Sequence, residues 1–210
     1  MKMVAASKLR RAQEAAERAR PYAKRMGRVM ENLVAGAGDQ DIGNPLLNGN
    51  GNVGCHLVVV MTSNRGLCGG FNTNIIRSAR LLIDDLLARN KTVKLYTIGS
   101  KGLDSLRRQY SDVMVGHFDE FSKAGASFDV AQGIVNNFID MFDKGAFDVC
   151  TLVYANFISA MTQEVTRQQI IPLPVSDYSE QTTYVSYEYE PSDIEILADL
   201  LPRNLAVQVF

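Results

Sequence analysis

The sequence predicts an α/β protein with an open, Rossmann-like, mostly parallel sheet and an antiparallel edge strand. A long N-terminal coiled-coil helix and the start of a C-terminal helix flank it. Three observations carry this prediction. Short apolar runs alternate with helical periodicity through the middle of the chain, which is typical of βαβ units. Residues 1–36 are dominated by good helix formers. Ser192 and Glu195 form a capping box before an apolar periodicity.

Composition limits the classes of protein that the chain can belong to. With 210 residues, 46% of them hydrophobic, the chain can bury one main core. No apolar run approaches the ~18 residues that suggest a membrane span. The cysteines at 55, 68 and 150 form no C-x-x-C pair, and there are only two histidines. This pattern favours a reducing compartment and argues against a Cys/His metal site.

The N-terminal segment is predicted to be one long helix with a coiled-coil seam. Apolar residues recur at alternating spacings of four and three, which is a heptad pattern. The seam consists of Ala5, Leu9, Ala12, Ala16, Ala19, Ala23, Met26, Met30 and Leu33. Pro21 should kink or loosen the helix, and Gly36 and Gly38 should end it. Because its small side chains call for a partner helix, we expect this helix to be exposed or dimerised in the isolated chain.

The same segment is strongly basic, with nine Lys/Arg against three Asp/Glu in residues 1–36. Residues 171–210 carry one Arg against seven acids. A transit peptide is one interpretation of the basic segment, but Glu14, Glu17 and Glu31 count against it. A nucleic-acid arm is another, but Tyr22 is the only aromatic residue there. The solvated basic face of a coiled-coil helix is the favoured interpretation.

The rest of the chain divides into a linker, an α/β domain and a helix start. Residues 37–54 are rich in glycine and read as a mobile surface connection. Residues 55–191 form the α/β domain, and 192–210 begin the C-terminal coiled-coil helix. Strands are predicted at 56–62, 92–99 and 147–157, with an antiparallel neighbour at 162–171 and an extended stretch around 112–119. Helices are predicted at 74–89, 101–109 and 127–143.

The loop SNRGLCGGFN, residues 63–72, lies between a strand and a helix, where α/β enzymes often place their chemistry. Gly66, Cys68 and Gly70 match the cysteine form of a nucleophile elbow. The cysteine lies too far beyond the strand, however, and neither His56 nor His117 is placed to act as its base. A Cys68-dependent hydrolase or amidotransferase is therefore kept only as an alternative.

The same loop lacks the residues of known phosphate cradles. It does not contain G-x-G-x-x-G, and no Lys-Ser/Thr pair follows its glycines. A small nucleotide-binding module, with phosphate on the amides of the helix start, stays open as a second alternative. The favoured interpretation is structural: Gly69 and Gly70 allow a tight turn, Cys68 is a small buried filler, and Arg65 is a surface charge or a partner contact.

Three stretches carry a resemblance to a known family. They are MKMVAASKLRRAQ at 1–13, SNRGLCGGFN at 63–72, and IIPLPVSDYS with YEYEPSDIEILADLL between 170 and 201. In this order they resemble the gamma subunits of rotary F-type ATP synthases. The resemblance implies a non-catalytic central stalk, without catalytic residues, cofactor or metal. Its coiled coil enters a hexamer of alpha and beta subunits, and rotation couples proton flow through the membrane ring to ATP synthesis.

The resemblance also implies partner contacts. Met1, Lys8 and Arg11 match positions that meet an acidic loop of the catalytic beta subunit. Contacts with the epsilon subunit and the rotor ring are expected at Arg65, Tyr184, Tyr187, Tyr189 and Glu190. No nucleic acid is expected to bind, and no direct membrane span is expected.

The residues of these motifs resemble those of the bacterial members of the family. The resemblance therefore implies a peripheral location on the cytoplasmic side of the bacterial inner membrane. Family members continue beyond both ends of this sequence, so a trimmed chain is expected. Pro202 departs from the expected C-terminal helix, since a proline in a helix interior should break it.

Overall fold

The computed structural model describes residues 2–36, 44–119, 127–159, 162–174 and 193–210. The chain divides into two compact units. One comprises residues 1–42 with 175–209, and the other comprises residues 43–174 with Phe210.

The larger unit is built on a five-stranded sheet. Its strands are β1 (Cys55–Met61), β2 (Thr92–Ile98), β3 (Met114–Phe118), β4 (Val149–Phe157) and β5 (Gln163–Ile171). The order in the sheet is β3-β2-β1-β4-β5. β1 pairs in parallel with β2 and β4, β2 pairs in parallel with β3, and β5 runs antiparallel to β4. The predicted mostly parallel sheet with an antiparallel edge strand is confirmed.

Helices cover both faces of this sheet. The larger unit contains α2 (Pro45–Asn48), α3 (Phe71–Ala88), α4 (Ser100–Tyr110), a 3₁₀ turn (Ser111–Val113) and α5 (Phe128–Asp143). Val58 and Val60 of β1 pack in one buried cluster with residues of α3 and α4. On the other face, the ring of Tyr96 meets that of Phe138 in α5 edge-on, with centroids 5.1 Å apart. Apolar residues on both faces of the central strands are therefore what the helices bury.

Local sequence signals mark several helix ends. Ser127 caps α5, as predicted, with its hydroxyl accepting from the Val130 amide at 3.4 Å. Asn44 caps α2, and its side-chain oxygen accepts from the Leu46 amide at 3.0 Å.

The segment expected to be a glycine-rich surface connection differs from that expectation where the structure describes it. Residues 44–54 include the helical turn α2, and its Leu46 and Leu47 are buried. The Leu173 amide donates to the Leu46 carbonyl at 2.9 Å, which ties this turn to the chain beyond β5. Two adjacent apolar residues in a single turn show no periodicity, yet their burial holds this segment on the domain.

Asp148, just before β4, joins the same segment to the sheet. Its carboxylate accepts from the Asn50 side chain at 2.7 Å and from the amides of Gly54 at 2.9 Å and Cys55 at 2.8 Å. Partial burial pushes the pKa of the Asp148 carboxyl up. The hydrogen bonds from Asn50, Cys55 and Gly54 and the nearby His56 outweigh this, so the pKa lies below its usual value.

The smaller unit consists of α1 (Lys2–Gly36) and α6 (Asp193–Val209), which pack on each other. The seam residues Met26, Met30 and Leu33 are buried, whereas Leu9 is 47% exposed and Ala23 is exposed. The side chains of Ala5, Ala12, Ala16 and Ala19 lie outside the described residues, as do Gly38 and Ser192. In α6, Leu197, Leu201 and Leu205 are buried at helical spacing. The coiled-coil seam over its whole length stays a prediction.

Both helices of this unit contain a proline. α1 continues through Pro21, and α6 continues through Pro202. The expectation that Pro202 breaks the C-terminal helix is therefore wrong. Leu201 and Leu205, on either side of the proline, are buried in a common register, and their packing offsets the hydrogen bond that proline cannot donate.

Replacing Pro202 with alanine should stabilise α6. Alanine restores an amide that can donate to the Ala198 carbonyl, so we expect the free energy of unfolding to rise by about 1–3 kcal/mol. Thermal unfolding followed by far-UV circular dichroism measures the change. Pro45→Ala is the control, because proline is favourable at the first position of a helix and its loss should give no gain. A lower midpoint for Pro202→Ala would contradict this account.

Asp148 should contribute to stability in a way that depends on pH. Since its folded-state pKa is lowered, the contribution is present above about pH 4 and is lost as the pH falls through the folded-state value. Asp148→Asn should therefore reduce the loss of stability on acidification, measured as urea midpoints across the acid range. Asp143→Asn, which removes an exposed carboxyl at the end of α5, is the matched control. Equal acid sensitivity of Asp148→Asn and the parent chain would show that the contribution is negligible.

Candidate functional site

The candidate site is the loop that joins β1 to α3 at the carboxyl edge of the sheet, residues 62–70, here named the β1–α3 loop. Asn72, in the first turn of α3 and only 9% exposed, holds the loop from one side. Its side-chain oxygen accepts from the Ser63 amide at 3.0 Å, and its nitrogen donates to the Arg65 carbonyl at 3.4 Å and to Cys68 Sγ at 3.0 Å. One buried amide side chain thus fixes three points of the loop.

Asn64 and Thr62 hold the loop from the other side, at the start of α4. The Asn64 side chain accepts from the Ser100 amide at 2.9 Å and donates to the Asp119 carbonyl at 2.7 Å. Thr62 Oγ1 accepts from the Gly102 amide at 2.8 Å. The amides of Ser100 and Gly102 are the kind of donors that bind anions at a helix N-terminus, and here the chain's own side chains satisfy them.

Close backbone approach explains a glycine at the end of β2. Gly99 has φ +94°, and a Cβ there would collide with the Thr62 carbonyl oxygen. A side chain at this position would push the end of β1 away from the start of α4. Because glycine lets these two backbones meet, protein atoms fill the carboxyl edge of the sheet between β1 and β2.

Cys68 is exposed, so its prediction as a small buried filler is wrong. Hydrogen bonds with Asn72 Nδ2 and Ser63 Oγ hold the Cys68 thiol at the exposed rim of the loop. Within the described residues, the groups around Sγ are Ser63 Oγ, the Arg65 carbonyl and Asn72 Nδ2, and none of them is a general base. His56 lies at the amino end of β1, opposite the loop, and His117 lies in the edge strand β3.

The other two thiols are also poorly suited to nucleophilic chemistry. Cys150 is fully buried in β4, and burial raises the pKa of its thiol. Burial likewise raises the pKa of Cys55 at the start of β1. Since the thiolate is the nucleophile, the described geometry gives no support to the cysteine-hydrolase alternative.

A shallow cleft lies beside the loop, where the order of strands reverses between β1 and β4. This is the position at which open α/β sheets usually bind their ligands. The cleft has a volume of about 190 Å³, below the roughly 300 Å³ of common small-molecule pockets. It is lined by Cys68, Gly70, Phe71, Asn74, Ala155, Gln163 and Val165. The volume of this cleft gives no support to a nucleotide site beside the loop.

The tight turn predicted for the two glycines is present, because Gly69 and Gly70 are the central residues of a turn closed by the Phe71 amide, which donates to the Cys68 carbonyl at 3.3 Å. Gly69 has φ +59°, in the left-handed region, while Gly70 is in an ordinary helical conformation with φ −79°. A Cβ on Gly70 would lie 3.2 Å from Asn74 Nδ2, so Gly70 serves the close approach of that side chain. Leu67 also adopts a left-handed conformation, with φ +61°, and its side chain is fully exposed at 108%.

The structure brings together only part of the predicted site. Arg65 and Gly66 are exposed on the loop with Cys68. Lys8 and Arg11 lie in α1, but their side chains are outside the described residues. Met1, Tyr184, Tyr187, Tyr189 and Glu190 are also outside them. The sequence analysis missed the anchoring roles of Asn64 and Asn72, although an Asn on either side of the glycines is the pattern of side chains that hold loops.

Taken together, these features define a Rossmann-like domain whose carboxyl edge, in the residues described, is occupied by its own loop rather than shaped as a ligand cradle. A family model described as ATP synthase matches residues 1–210. The ATP synthase gamma chain of Rhodospirillum rubrum is 50% identical over 218 aligned residues, covering 100% of this chain and 73% of that one. The gamma chain of Ruegeria pomeroyi is 49% identical over 210 residues, with 100% and 72% coverage.

A solved structure shares the fold. The central stalk and c-ring structure of the Tetrahymena thermophila mitochondrial ATP synthase contains a chain that matches with a TM-score of 0.60. The match has 20% identity and covers 92% of this chain and 88% of that chain. The chain belongs to the ATP synthase gamma chain family, and the resemblance found in its sequence is confirmed.

Removing the buried anchor of the loop should destabilise the domain. Asn72→Ala leaves the Ser63 amide without its partner, at a cost of about 1–3 kcal/mol, whereas the Arg65 carbonyl keeps its hydrogen bond from Ser63 Oγ. Urea denaturation measures this cost. Asn74→Ala is the matched control, since Asn74 is exposed two residues further along α3. Equal effects of the two substitutions would refute the anchoring role of Asn72.

Proposed function

We propose that this chain is a non-catalytic rotor subunit of a bacterial F-type ATP synthase. The observation that carries the proposal is the identity of about half of all residues to ATP synthase gamma chains along the whole chain. In this role the chain couples proton translocation through the membrane ring to ATP synthesis in the alpha–beta hexamer. The long helix α1, packed with α6, is the part suited to enter a partner assembly.

The dimensions of α1 support this role. Its 35 residues span roughly 52 Å at 1.5 Å per residue. Arg18, Lys24, Arg25 and Arg28 are all exposed on it. Exposed ion pairs contribute only about 0–1 kcal/mol each. Acidic neighbours that form such pairs with α1 attract it at every angle of rotation. Because each pair is weak, none of them holds the helix at one angle.

The closed carboxyl edge supports a role without chemistry of its own. Thr62, Asn64 and Asn72 use their polar groups on the backbone of the loop and of α4. The hydrogen-bond partners of Cys68 Sγ include no general base, and burial raises the pKa of the Cys55 and Cys150 thiols. Within the described residues, no group of three His, Cys, Asp or Glu side chains is placed to hold a metal ion.

The partner contacts follow from the same proposal. Lys8 and Arg11, with Met1, contact the beta subunit. Arg65 and the segment containing Tyr184, Tyr187, Tyr189 and Glu190 contact epsilon or the rotor ring. The chain is then divided as the sequence predicts. Residues 1–36 and 192–210 form the coiled coil, and the α/β domain lies between them in sequence.

Membrane association follows through these partners. Among the helices of the described residues, none has the length and apolar character needed to cross a bilayer. We place the chain peripherally on the cytoplasmic side of the inner membrane, where the ring supplies the attachment.

Co-purification tests the proposal. The chain is mixed with purified alpha–beta hexamer and epsilon from Rhodospirillum rubrum, and the complex is measured by size exclusion and by titration of labelled chain. We expect a stable complex whose affinity falls as salt rises, because basic residues of α1 contribute attraction. No binding to either assembly would refute the rotor role.

Charge reversal on α1 distinguishes the contribution of this helix to hexamer binding from that of the α/β domain. Arg25→Glu with Arg28→Glu should weaken hexamer binding at least tenfold at low salt and reduce its salt dependence. Arg107→Glu with Arg108→Glu, which reverses two exposed charges on α4, is the matched control and should have less effect. If the control weakens binding as much, the basic surface of α1 is not specific to the contact.

A further inference from the structure

The two helices of the smaller unit each lack one hydrogen bond well inside their ends. α1 continues through Pro21, and α6 continues through Pro202. Because proline has no amide hydrogen, the carbonyls of Glu17 and Ala198, four residues before each proline, have no donor within their helix. A missing bond of this kind is the usual place at which a helix bends.

The two prolines lie close to each other along the helix pair. Tyr22 follows Pro21 in the chain, and Arg203 follows Pro202. The Arg203 guanidinium carbon lies over the Tyr22 ring, 5.8 Å from its centroid, which is the geometry of a cation–π contact. Since each proline is the immediate neighbour of a residue in this contact, the hydrogen bonds are missing from both helices at nearly the same level.

A buried polar side chain weakens α6 at this level as well. Asn204 continues the spacing of four and three that begins at Leu197 and Leu201, so it occupies a seam position. It is only 3% exposed, and within the described residues no acceptor lies within hydrogen-bond distance of its Nδ2. A buried donor without a partner destabilises the packing around it, whereas an apolar side chain of similar size would not.

The pair is more regular towards the end of α1 and the start of α6. Met30 and Leu33 of α1 and Leu197 of α6 are almost completely buried. Between Lys24 and Gly36, and between Asp193 and Leu201, neither helix contains a proline. Among the described side chains of these two ranges, none is a buried polar group without a partner. The weak points are therefore gathered at one level of the pair.

We infer that the helix pair has a joint at the level of Pro21 and Pro202, here named the proline joint. At this joint both helices open and bend together, while the packing around Met30, Leu33 and Leu197 stays intact. The exposed contact of Arg203 with Tyr22 closes the joint reversibly, because a cation–π contact tolerates small changes in distance and angle. The joint is a property of the chain itself and does not depend on the proposed rotor role.

Hydrogen exchange of the full chain, followed by mass spectrometry of its peptides, locates the joint. We expect amides of residues 19–25 and 203–206 to exchange at least tenfold faster than those of residues 29–35 and 196–201. Equal protection of these ranges along both helices would overturn the joint. Because helix ends also exchange quickly, variants of α6 are needed to show that the two helices open together.

Pro202→Ala combined with Asn204→Leu should close the joint from one side. The first change restores an amide donor and the second removes the unpaired one, so α6 should open less often. We expect amides of residues 19–25, on the other helix, to exchange at least fivefold more slowly. Pro202→Ala alone is a second variant, which should give a smaller change in the same direction even if the double variant folds poorly.

Asp199→Ala is the matched control. Asp199 is exposed on α6, and alanine there raises helix propensity away from the joint, so we expect less than a twofold change at residues 19–25. Arg203→Met keeps a long side chain and removes the charge. Since it takes away the cation–π contact, it should speed exchange at residues 19–25 at least twofold.

The outcomes decide whether the joint is shared by the two helices. Slower exchange confined to α6 in the double variant would show that the prolines act separately, and would overturn the inference. An equal effect of Asp199→Ala would show that α1 responds only to the overall helicity of α6, with the same consequence. Failure of the parent chain to bind its proposed subunits would reject the rotor role and leave these exchange results standing, so the two proposals fail independently.

Discussion

Side-chain hydrogen bonds to backbone groups at the carboxyl edge of the sheet are the constraint on which the α/β domain depends. Thr62, Asn64 and Asn72 reach the start of α4, the end of β3 and three points of the β1–α3 loop. Each neutral bond contributes only about 0.5–1.5 kcal/mol, but losing a buried partner costs about 1–3 kcal/mol. The loop therefore has one arrangement, although the burial of the sheet supplies most of the stability.

The same bonds separate this domain from enzymes with a similar sheet. A Rossmann-like domain binds ligands with free amides at helix starts and an open crevice beyond the strands. Here the amides of Ser100 and Gly102 donate to side chains of the β1–α3 loop. Gly99 also brings its backbone against that of Thr62, at the place where a crevice would lie. A fold common among nucleotide-binding proteins thus serves as a rigid support for an exposed loop.

Periodicity predicted the elements of the fold, since burial on one or both faces leaves a pattern along the chain. The apolar run at β1 specified a buried strand, and the alternation at β5 specified an edge strand. The burial of Leu46 and Leu47 was missed because one helical turn is too short to have a period. Pro202 was misjudged because local propensity opposed the packing of α6, and the packing prevailed.

The loop itself was harder to predict. Glycines and asparagines between residues 63 and 72 announce a turn but do not say which side chains face outward. The exposure of Cys68 and Leu67 depends on bonds such as that from Asn64 to the Asp119 carbonyl, 55 residues away in sequence. The motif therefore identified the family while leaving open which of its atoms meet a partner.

The unequal exposure of the three thiols determines where a fluorescent dye can be attached to follow rotation of the protein. Cys150 is buried in the sheet and Cys55 is partly covered, while Cys68 stands in solvent on a loop held by hydrogen bonds. A maleimide dye will attach selectively at Cys68 in the unaltered sequence. Because Asn72 restrains the point of attachment, the polarisation of that dye reports the angular orientation of the whole α/β domain.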